Sequence, residues 1–475
     1  MDIFKLARNS IWLLLAQVTG KAAMFVFFIV AARYLGSTDF GKYSFALTVV
    51  TLYYMVVDFG LGLLTFREVA KDARAASDFI RASLVLKMAL AVLSYLSLIV
   101  FLKWLKIPED TYRLSLLLSL TVFTYAISST LESLFKAFER MHYILLSALF
   151  TQLGLLLGGA YLLAFGYGLS DLILLQVAIN VLNALLFLLV AGRKMIRLEF
   201  GIDLSRYLGI LREAFPLAAL AFLGVLYFRV DIIFLEKLRG EEVVGWYNAA
   251  YKLMDSLMIF SGSIIGALFP YFSRLGGMET RPQLKNLFEN TFKYFFMASL
   301  PLAILISAHS DQIVLLIYGE HYRPAVPALR ILIWAIPMIY VNAVFLYTLI
   351  AAGRQRDCAI AQGICAAGNI LLNISLIPHW GYLGAAISTV VSEIFTLVVF
   401  GVLVFRHLFH FDLWTVLFKT ALASALMSLP LLWFDRMNLS AVLGLSGVTY
   451  LISLTSLRLI GQKEMDYLKR LFAGG

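Results

Sequence analysis

The chain has 475 residues, of which 61% are hydrophobic and only 14% charged, and its mean hydropathy is +0.87. A soluble globular chain is typically about 45–50% apolar and about 25% charged, so the composition excludes a soluble enzyme or binding module and leaves a polytopic membrane protein. The net charge of +10 does not point to nucleic acid, because the Lys and Arg are spread over many short segments between apolar runs.

In chain order, the first apolar run follows Met1-Asp-Ile-Phe-Lys-Leu-Ala-Arg-Asn-Ser. It is about twenty residues long, too long for a signal h-region, and it lacks a small-residue cleavage site, so it reads as the first span. A helix needs about 20 mainly apolar residues to cross a bilayer. That criterion predicts an all-α polytopic membrane protein of about 14 transmembrane helices, over 9–32, 43–66, 82–102, 114–135, 143–165, 172–192, 214–235, 243–271, 294–313, 331–352, 358–378, 383–405, 414–434 and 439–457. Most links are short. The longest two are 193–213 and 272–293. The first predicts a boundary between halves. The second, Ser273 to Lys293, predicts an amphipathic helix lying in the membrane interface. With both termini on one side, loops on that side hold 24 Lys and Arg against 10 on the other. The excess marks the first side as cytoplasmic and predicts a multi-pass protein of the inner, cytoplasmic membrane with both termini inside.

Two stretches share one layout: Arg33-Tyr-Leu-Gly-Ser-Thr-Asp-Phe-Gly-Lys-Tyr-Ser-Phe-Ala46, and the run from Phe228 to Ala250. A shift of 204 puts Gly36 on Gly240, Gly41 on Gly245, Tyr43 on Tyr247 and Ala46 on Ala250. A shift of 215 puts Ala137-Phe-Glu-Arg140 on Ala352-Gly-Arg-Gln355, and Gly166-Tyr167 on Gly381-Tyr382. Each half holds an even number of spans, so both enter the membrane the same way up. The prediction is two parallel six-helix repeats related by an axis along the membrane normal. The domains expected are an N-terminal six-helix bundle over 1–193, a cytoplasmic linker over 194–213, a C-terminal six-helix bundle over 214–406, and two extra C-terminal helices with a cytoplasmic tail over 407–475. Two facing bundles with a cleft between them are the architecture of a transporter. The copies diverge in charge: at the shift of 204, Arg229 falls on Phe25 and Asp231 on Phe27.

A charge at the bilayer centre costs at least ~2.5–3.5 kcal/mol, so a retained one faces a cavity or a partner. Lys21, Asp58, Lys252, Asp255 and Glu393 fall near mid-membrane, and Arg229 and Asp231 in the outer third. Lys252 and Asp255 are three apart and share a helix face, where they can neutralise each other; Arg229 and Asp231 are two apart and cannot face the same way. Lys21 has no acid near it in its own span, which makes it a candidate for holding an anion, the alternative being a pair with Asp58 or Glu393. Asp58 or Glu393 is the candidate for coupling to H⁺ or Na⁺. Lys87, Glu132 and Lys419 lie close to cytoplasmic ends, where long side chains reach the headgroups. Pro301 and Pro337 fall well within spans and predict bends. Tyr53, Tyr54, Tyr227 and Tyr247 could stack on sugar rings or simply pack. Cys358 and Cys365 give neither a disulfide framework nor metal spacing. Asp58-Phe59-Gly60 copies a kinase tripeptide with none of its companions. No catalytic group, metal site or cofactor is expected.

These residues carry a family resemblance. Ala32 to Ala46 after the first span, Asp58-Phe-Gly-Leu61 followed by Arg67-Glu68, Asp231 followed by Gly240 and Gly245-Trp-Tyr-Asn-Ala-Ala250, and Tyr318-Gly-Glu-His-Tyr-Arg-Pro-Ala325 with Ala352-Gly-Arg354 resemble, in order and spacing, the Wzx-type polysaccharide flippases. These belong to the multidrug/oligosaccharidyl-lipid/polysaccharide exporter superfamily. The resemblance implies a V-shaped pair of bundles and alternating access. It implies as cargo a polyprenyl-(di)phosphate-linked oligosaccharide moved from the cytoplasmic to the outer leaflet. The two extra spans resemble the lipid-II flippase branch. Phosphate wants Lys or Arg, so Lys21, Arg229 and Lys252 are expected to line an anion cavity, with Asp58, Asp231, Asp255 and Glu393 as charge partners or coupling groups for H⁺ or Na⁺. The alternatives are a lipid-II-type flippase, a cation-coupled multidrug exporter, which would want an acidic cavity, and a membrane glycan polymerase or transferase, which would want a larger extramembrane loop.

Overall fold

A computed structural model of the chain describes residues 3–72, 76–194, 204–433 and 439–459. They form sixteen α-helices in chain order: α1 (Ile3–Asp58), α2 (Leu61–Lys71), α3 (Ala76–Leu105), α4 (Glu109–Ser119), α5 (Thr121–Ala137), α6 (Met141–Ala164), α7 (Leu169–Lys194), α8 (Leu204–Arg239), α9 (Glu241–Arg274), α10 (Arg281–Ala308), α11 (Ser310–Tyr318), α12 (Ala325–Leu332), α13 (Ala335–Ala351), α14 (Gln355–His407), α15 (Trp414–Trp433) and α16 (Leu439–Ser456). Among the described residues, nine continuous stretches are long and apolar enough to cross a membrane. Two of them, Val18–Lys71 and Gln355–His407, run to 54 and 53 residues, far more than the roughly 20 that one crossing needs.

Each of these long stretches is two crossings joined at a glycine. α1 leaves helical geometry at Gly36 (φ 73°) and α14 at Gly381 (φ 57°), both in the left-handed region open to glycine at little cost. Past Gly36 the chain doubles back, because the Phe28 ring lies 6.2 Å from Phe40 and 6.3 Å from Tyr43. With both hairpins counted as two crossings and the bent α8 added, the described helices supply twelve crossings, followed by the apolar helices α15 and α16. The repeat is visible in the backbone as well. Gly240, the partner of Gly36 at the shift of 204, has φ 84°, and Gly166, the partner of Gly381, has φ 82°.

By contacts the chain divides into two units. The first is Met1–Lys252 with Ile317–Ala325 and Gln362–Ala385; the second is Leu253–Leu316 with Val326–Ala361 and Ala386–Gly475. In the first unit α1 packs against α6 and α8, and α5 against α2, α3 and α7. Its cores include Ile80, Leu131, Leu134, Phe135 and Phe187 in one cluster, and Leu61, Leu64, Ala82, Ile210 and Ala214 in another. In the second unit α10 packs on α13 and α15, and α15 on α16. There Phe288 is ringed by Phe345, Phe409 and Phe411 at 5.0–5.5 Å. The two extra C-terminal helices form a separate cluster with Met297 of α10 through Met427, Tyr450 and Leu454, with the Tyr450 hydroxyl donating to the Met297 carbonyl at 2.6 Å.

Two expectations are corrected and one is met. Ser273 to Lys293 is not a separate interfacial helix: α9 runs to Arg274, and α10 starts at Arg281 and continues unbroken to Ala308. Pro282 sits in the first turn, where its missing N–H is not needed, and no breaker lies between it and Pro301. Pro337 falls within the apolar stretch Ala325–Ala351, and the helix breaks at Ile333–Trp334, where the proline four residues on cannot donate to the Ile333 carbonyl and the Ile336 amide takes it at 3.1 Å instead. Lys87 does not snorkel; its side chain is fully buried. Most of the expected linker 194–213 lies outside the described residues, but α8 has already begun at Leu204. The tail beyond 459 also lies outside them.

Candidate functional site

The twin turns meet each other inside the first unit. A Cβ added at Gly41 would collide with the Glu241 carbonyl, and one at Gly245 with the Ser37 carbonyl, so the two repeat glycines permit one backbone-to-backbone contact. One turn further on, the Asn248 amide donates to the Ser44 hydroxyl at 2.6 Å. Ser44 and Asn248 are themselves partners at the shift of 204. Equivalent residues of two repeats touch only where the axis relating the repeats passes between them, so these pairs mark that axis.

Below this junction is a cavity of about 100 Å³ lined by Met24, Phe28, Ser44, Leu47, Thr48, Thr51, Arg229, Asn248 and Lys252. Helical spacing builds its wall: Ser44, Thr48 and Thr51 recur every three to four residues on α1, as Asn248 and Lys252 do on α9. The Lys252 ammonium lies 4.1 Å from the centroid of the Phe28 ring, and the Arg229 guanidinium 5.3 Å from that of Tyr251, placing each cation over an aromatic face. Two cations, an amide and three hydroxyls around one small space suit an anion. The space has room for one phosphoryl-sized group.

The remaining expected site residues are distributed as follows. Lys21 is exposed on α1, one turn before Met24, and is not part of the cavity wall. Asp231 is buried and takes the Tyr247 hydroxyl and, at 2.8 Å, the Ile232 amide. Asp58 ends α1 beside the left-handed residues Phe59 and Gly60, and it pairs at 2.6 Å with Lys87, which also donates to Ser129 at 3.0 Å. Asp255 and Glu393 belong to the second unit, where buried Glu393 accepts from the Asn342 amide at 2.8 Å. Metal ligands do not gather: among the described residues no group of three His, Cys, Asp or Glu could hold an ion.

Of the four tyrosines, Tyr54 stacks on Tyr125 at 4.3 Å and donates to Thr121, and Tyr227 and Tyr247 are buried; these three pack in the core. The Tyr318 to Ala325 motif staples the first unit. Tyr322 donates to the Ala32 carbonyl at 3.0 Å, Arg33 donates to the Ile317 carbonyl at 2.6 Å, and Arg323 holds the Glu320 carboxyl below the usual carboxylate range through a hydrogen bond. Sequence reasoning missed Phe28, Ser44, Thr48, Thr51 and Asn248. The polar stripe at 44, 48 and 51 was the available signal for three of them.

The chain is similar to known proteins in sequence and in fold. Residues 6–276 match the polysaccharide biosynthesis protein family, and residues 216–375 the MatE family. The protein of Haloferax volcanii named "Probable low-salt glycan biosynthesis flippase Agl15" is 22% identical over 400 residues, 82% of this chain and 81% of its own. The capsular polysaccharide biosynthesis protein CapF of Staphylococcus aureus is 20% identical over 401 residues, 83% of this chain and 98% of its own. Among solved structures, the lipid II flippase MurJ in an inward closed conformation superposes with a TM-score of 0.77 at 15% identity, over 94% of this chain and 98% of that one. An inward-facing multidrug resistance MATE transporter superposes with a TM-score of 0.69 at 14% identity, over 82% and 95%. The structures speak for the fold; the family match, covering more than half the chain, shows that this protein belongs to the polysaccharide biosynthesis protein family of the multidrug/oligosaccharidyl-lipid/polysaccharide exporter superfamily.

Proposed function

We propose that this protein is a flippase that carries a polyprenyl-(di)phosphate-linked oligosaccharide from the cytoplasmic to the outer leaflet of the cytoplasmic membrane by alternating access. It does no bond-making chemistry, and it is driven by an H⁺ or Na⁺ gradient or by the membrane potential. The observation that carries this reading is the cavity holding Arg229 and Lys252 with four neutral polar side chains. It has room for the phosphate end of such a lipid. Lys21, on the same helix as Met24 and Phe28, is the cation that meets the phosphate on its way in. Family membership and the flippase name of the haloarchaeal relative favour the same cargo class.

In this reading the two halves, 1–193 and 214–406, are the moving bundles, and 407–475 is an added pair of helices. Both termini are cytoplasmic, as the excess of Lys and Arg on that side favours. Asp58 and Asp231 act as charge partners, tied to Lys87 and Tyr247, and Asp255 and Glu393 are the coupling candidates of the second unit. The test is reconstitution in liposomes with a labelled polyprenyl-diphosphate sugar, scoring leaflet movement with and without ion gradients. Arg229→Ala, Lys252→Ala and Lys21→Ala are expected to abolish movement while the proteins still insert. Full activity in all three rejects the anion cavity. Transport of a cationic dye with no movement of the lipid-linked sugar rejects the flippase reading in favour of a drug exporter.

A further inference from the structure

Glu236 lies one turn before Gly240, at the end of α8. It is 4% exposed, and neither carboxylate oxygen has a hydrogen-bond partner among the described residues. It lines a cavity of about 580 Å³ between the turn joining α3 to α4 and the turn joining α8 to α9. α8 bends by 42° near residue 220, and its second limb, Ala221–Arg239, is about 28 Å long at 1.5 Å per residue, which matches a hydrocarbon core of about 30 Å. Its last turn is therefore near the aqueous boundary, and the cavity can hold water.

The charged groups around Glu236 come from four places: Lys42 on α1, Lys106 in the turn after α3, Asp110 on α4, and Lys237, Arg239 and Glu241 in its own turn. Three of the four cations are engaged elsewhere. Lys42 is 3.3 Å from Asp39 and 3.9 Å from Glu241. Lys237 lies 4.4 Å from the centroid of the Trp104 ring, and Arg239 donates to the Pro378 carbonyl at 2.6 Å. The fourth, Lys106, is exposed. Glu241, which accepts from Thr111 as well as lying near Lys42, is already paired, while Glu236 is not. A buried carboxylate with no partner does not persist as a bare charge; it takes up a proton or a ligand. Among the described residues no set of three metal-binding side chains gathers, and the nearby cations disfavour a further metal ion.

We propose that Glu236 is a proton-binding site, loaded from water through this cavity, with the negative charge of Glu241 holding the proton in place. This rests on the flippase reading only in supplying its coupling ion; the site itself stands on the geometry of the first unit.

The test is infrared spectroscopy of the purified full chain over a pH series, following the C=O stretch of a protonated carboxyl group. In the wild type that band is expected at neutral pH and is lost on raising the pH. Glu236→Gln, which keeps the shape, is expected to lack it, and Glu236→Asp to keep it at a shifted frequency. Removing the neighbouring charge with Glu241→Gln is expected to move the loss of the band to lower pH, because the ionised form of Glu236 is then less opposed. A wild-type-minus-Glu236→Gln difference spectrum with no such band overturns the site. An unmoved loss in Glu241→Gln overturns the role of Glu241. The readout needs no cargo, so it fails only with the proton site, whereas the flippase reading fails only in the liposome assay.

Discussion

The pair formed by Asp58 and Lys87 sets up an asymmetric stability test. Lys87 has no exposed side-chain surface, whereas Asp58 keeps 21% of its own, and their charged atoms are 2.6 Å apart. At an effective dielectric of about 20 the attraction across 2.6 Å is roughly 6 kcal/mol before desolvation is subtracted. Removing one partner of a buried pair costs about 3–5 kcal/mol, mostly because the other charge is left stranded. Asp58→Asn strands the fully buried ammonium and is expected at the upper end of that range. Lys87→Met strands a carboxylate that water still reaches and is expected at the lower end. The double variant leaves no stranded charge, so it is expected to lose less than the two singles together, with a coupling of about 1–3 kcal/mol. The assay is unfolding of the detergent-purified protein followed by tryptophan fluorescence, run as a four-protein cycle. Additive losses refute the pairing, and Lys87→Met costing more than Asp58→Asn refutes the assignment of which charge is more deeply desolvated.

The two kinds of glycine at the twin turns separate in the same assay. Gly41→Ala drives a Cβ into the Glu241 backbone and is expected to cost about 1–3 kcal/mol or more through overpacking. Gly36→Ala meets nothing within 4 Å and is expected to cost only the left-handed backbone penalty of about 1–2 kcal/mol. Tyr247→Phe removes the side-chain donor to buried Asp231 and leaves it backbone amides and the charge of Arg229, for an expected loss of about 1–3 kcal/mol. Tyr450→Phe, which removes the bond to Met297, is expected to lose about 0.5–1.5 kcal/mol and reports whether α16 is docked in the second unit.

Much of this protein was determined by its sequence alone. Apolar run length sets the number of crossings, because backbone amides and carbonyls in hydrocarbon must pair within their own helix. The paired glycines at 36 and 240, and at 166 and 381, set the turns, because glycine enters the left-handed region at little cost. What the tertiary structure decided is which charges meet. Arg229 and Lys252 come from different helices yet line one cavity, while Asp58 finds Lys87 across 29 positions of chain. Glu236 reads in the sequence as an ordinary polar residue before a turn, and only packing buries it without a protein hydrogen-bond partner among the described residues. Spacing along one helix fixes which residues share its face, but the pairing of a buried charge depends on the face of a second helix. That depends in turn on how closely the backbones approach, which is set by contacts such as the one between Gly41 and Gly245.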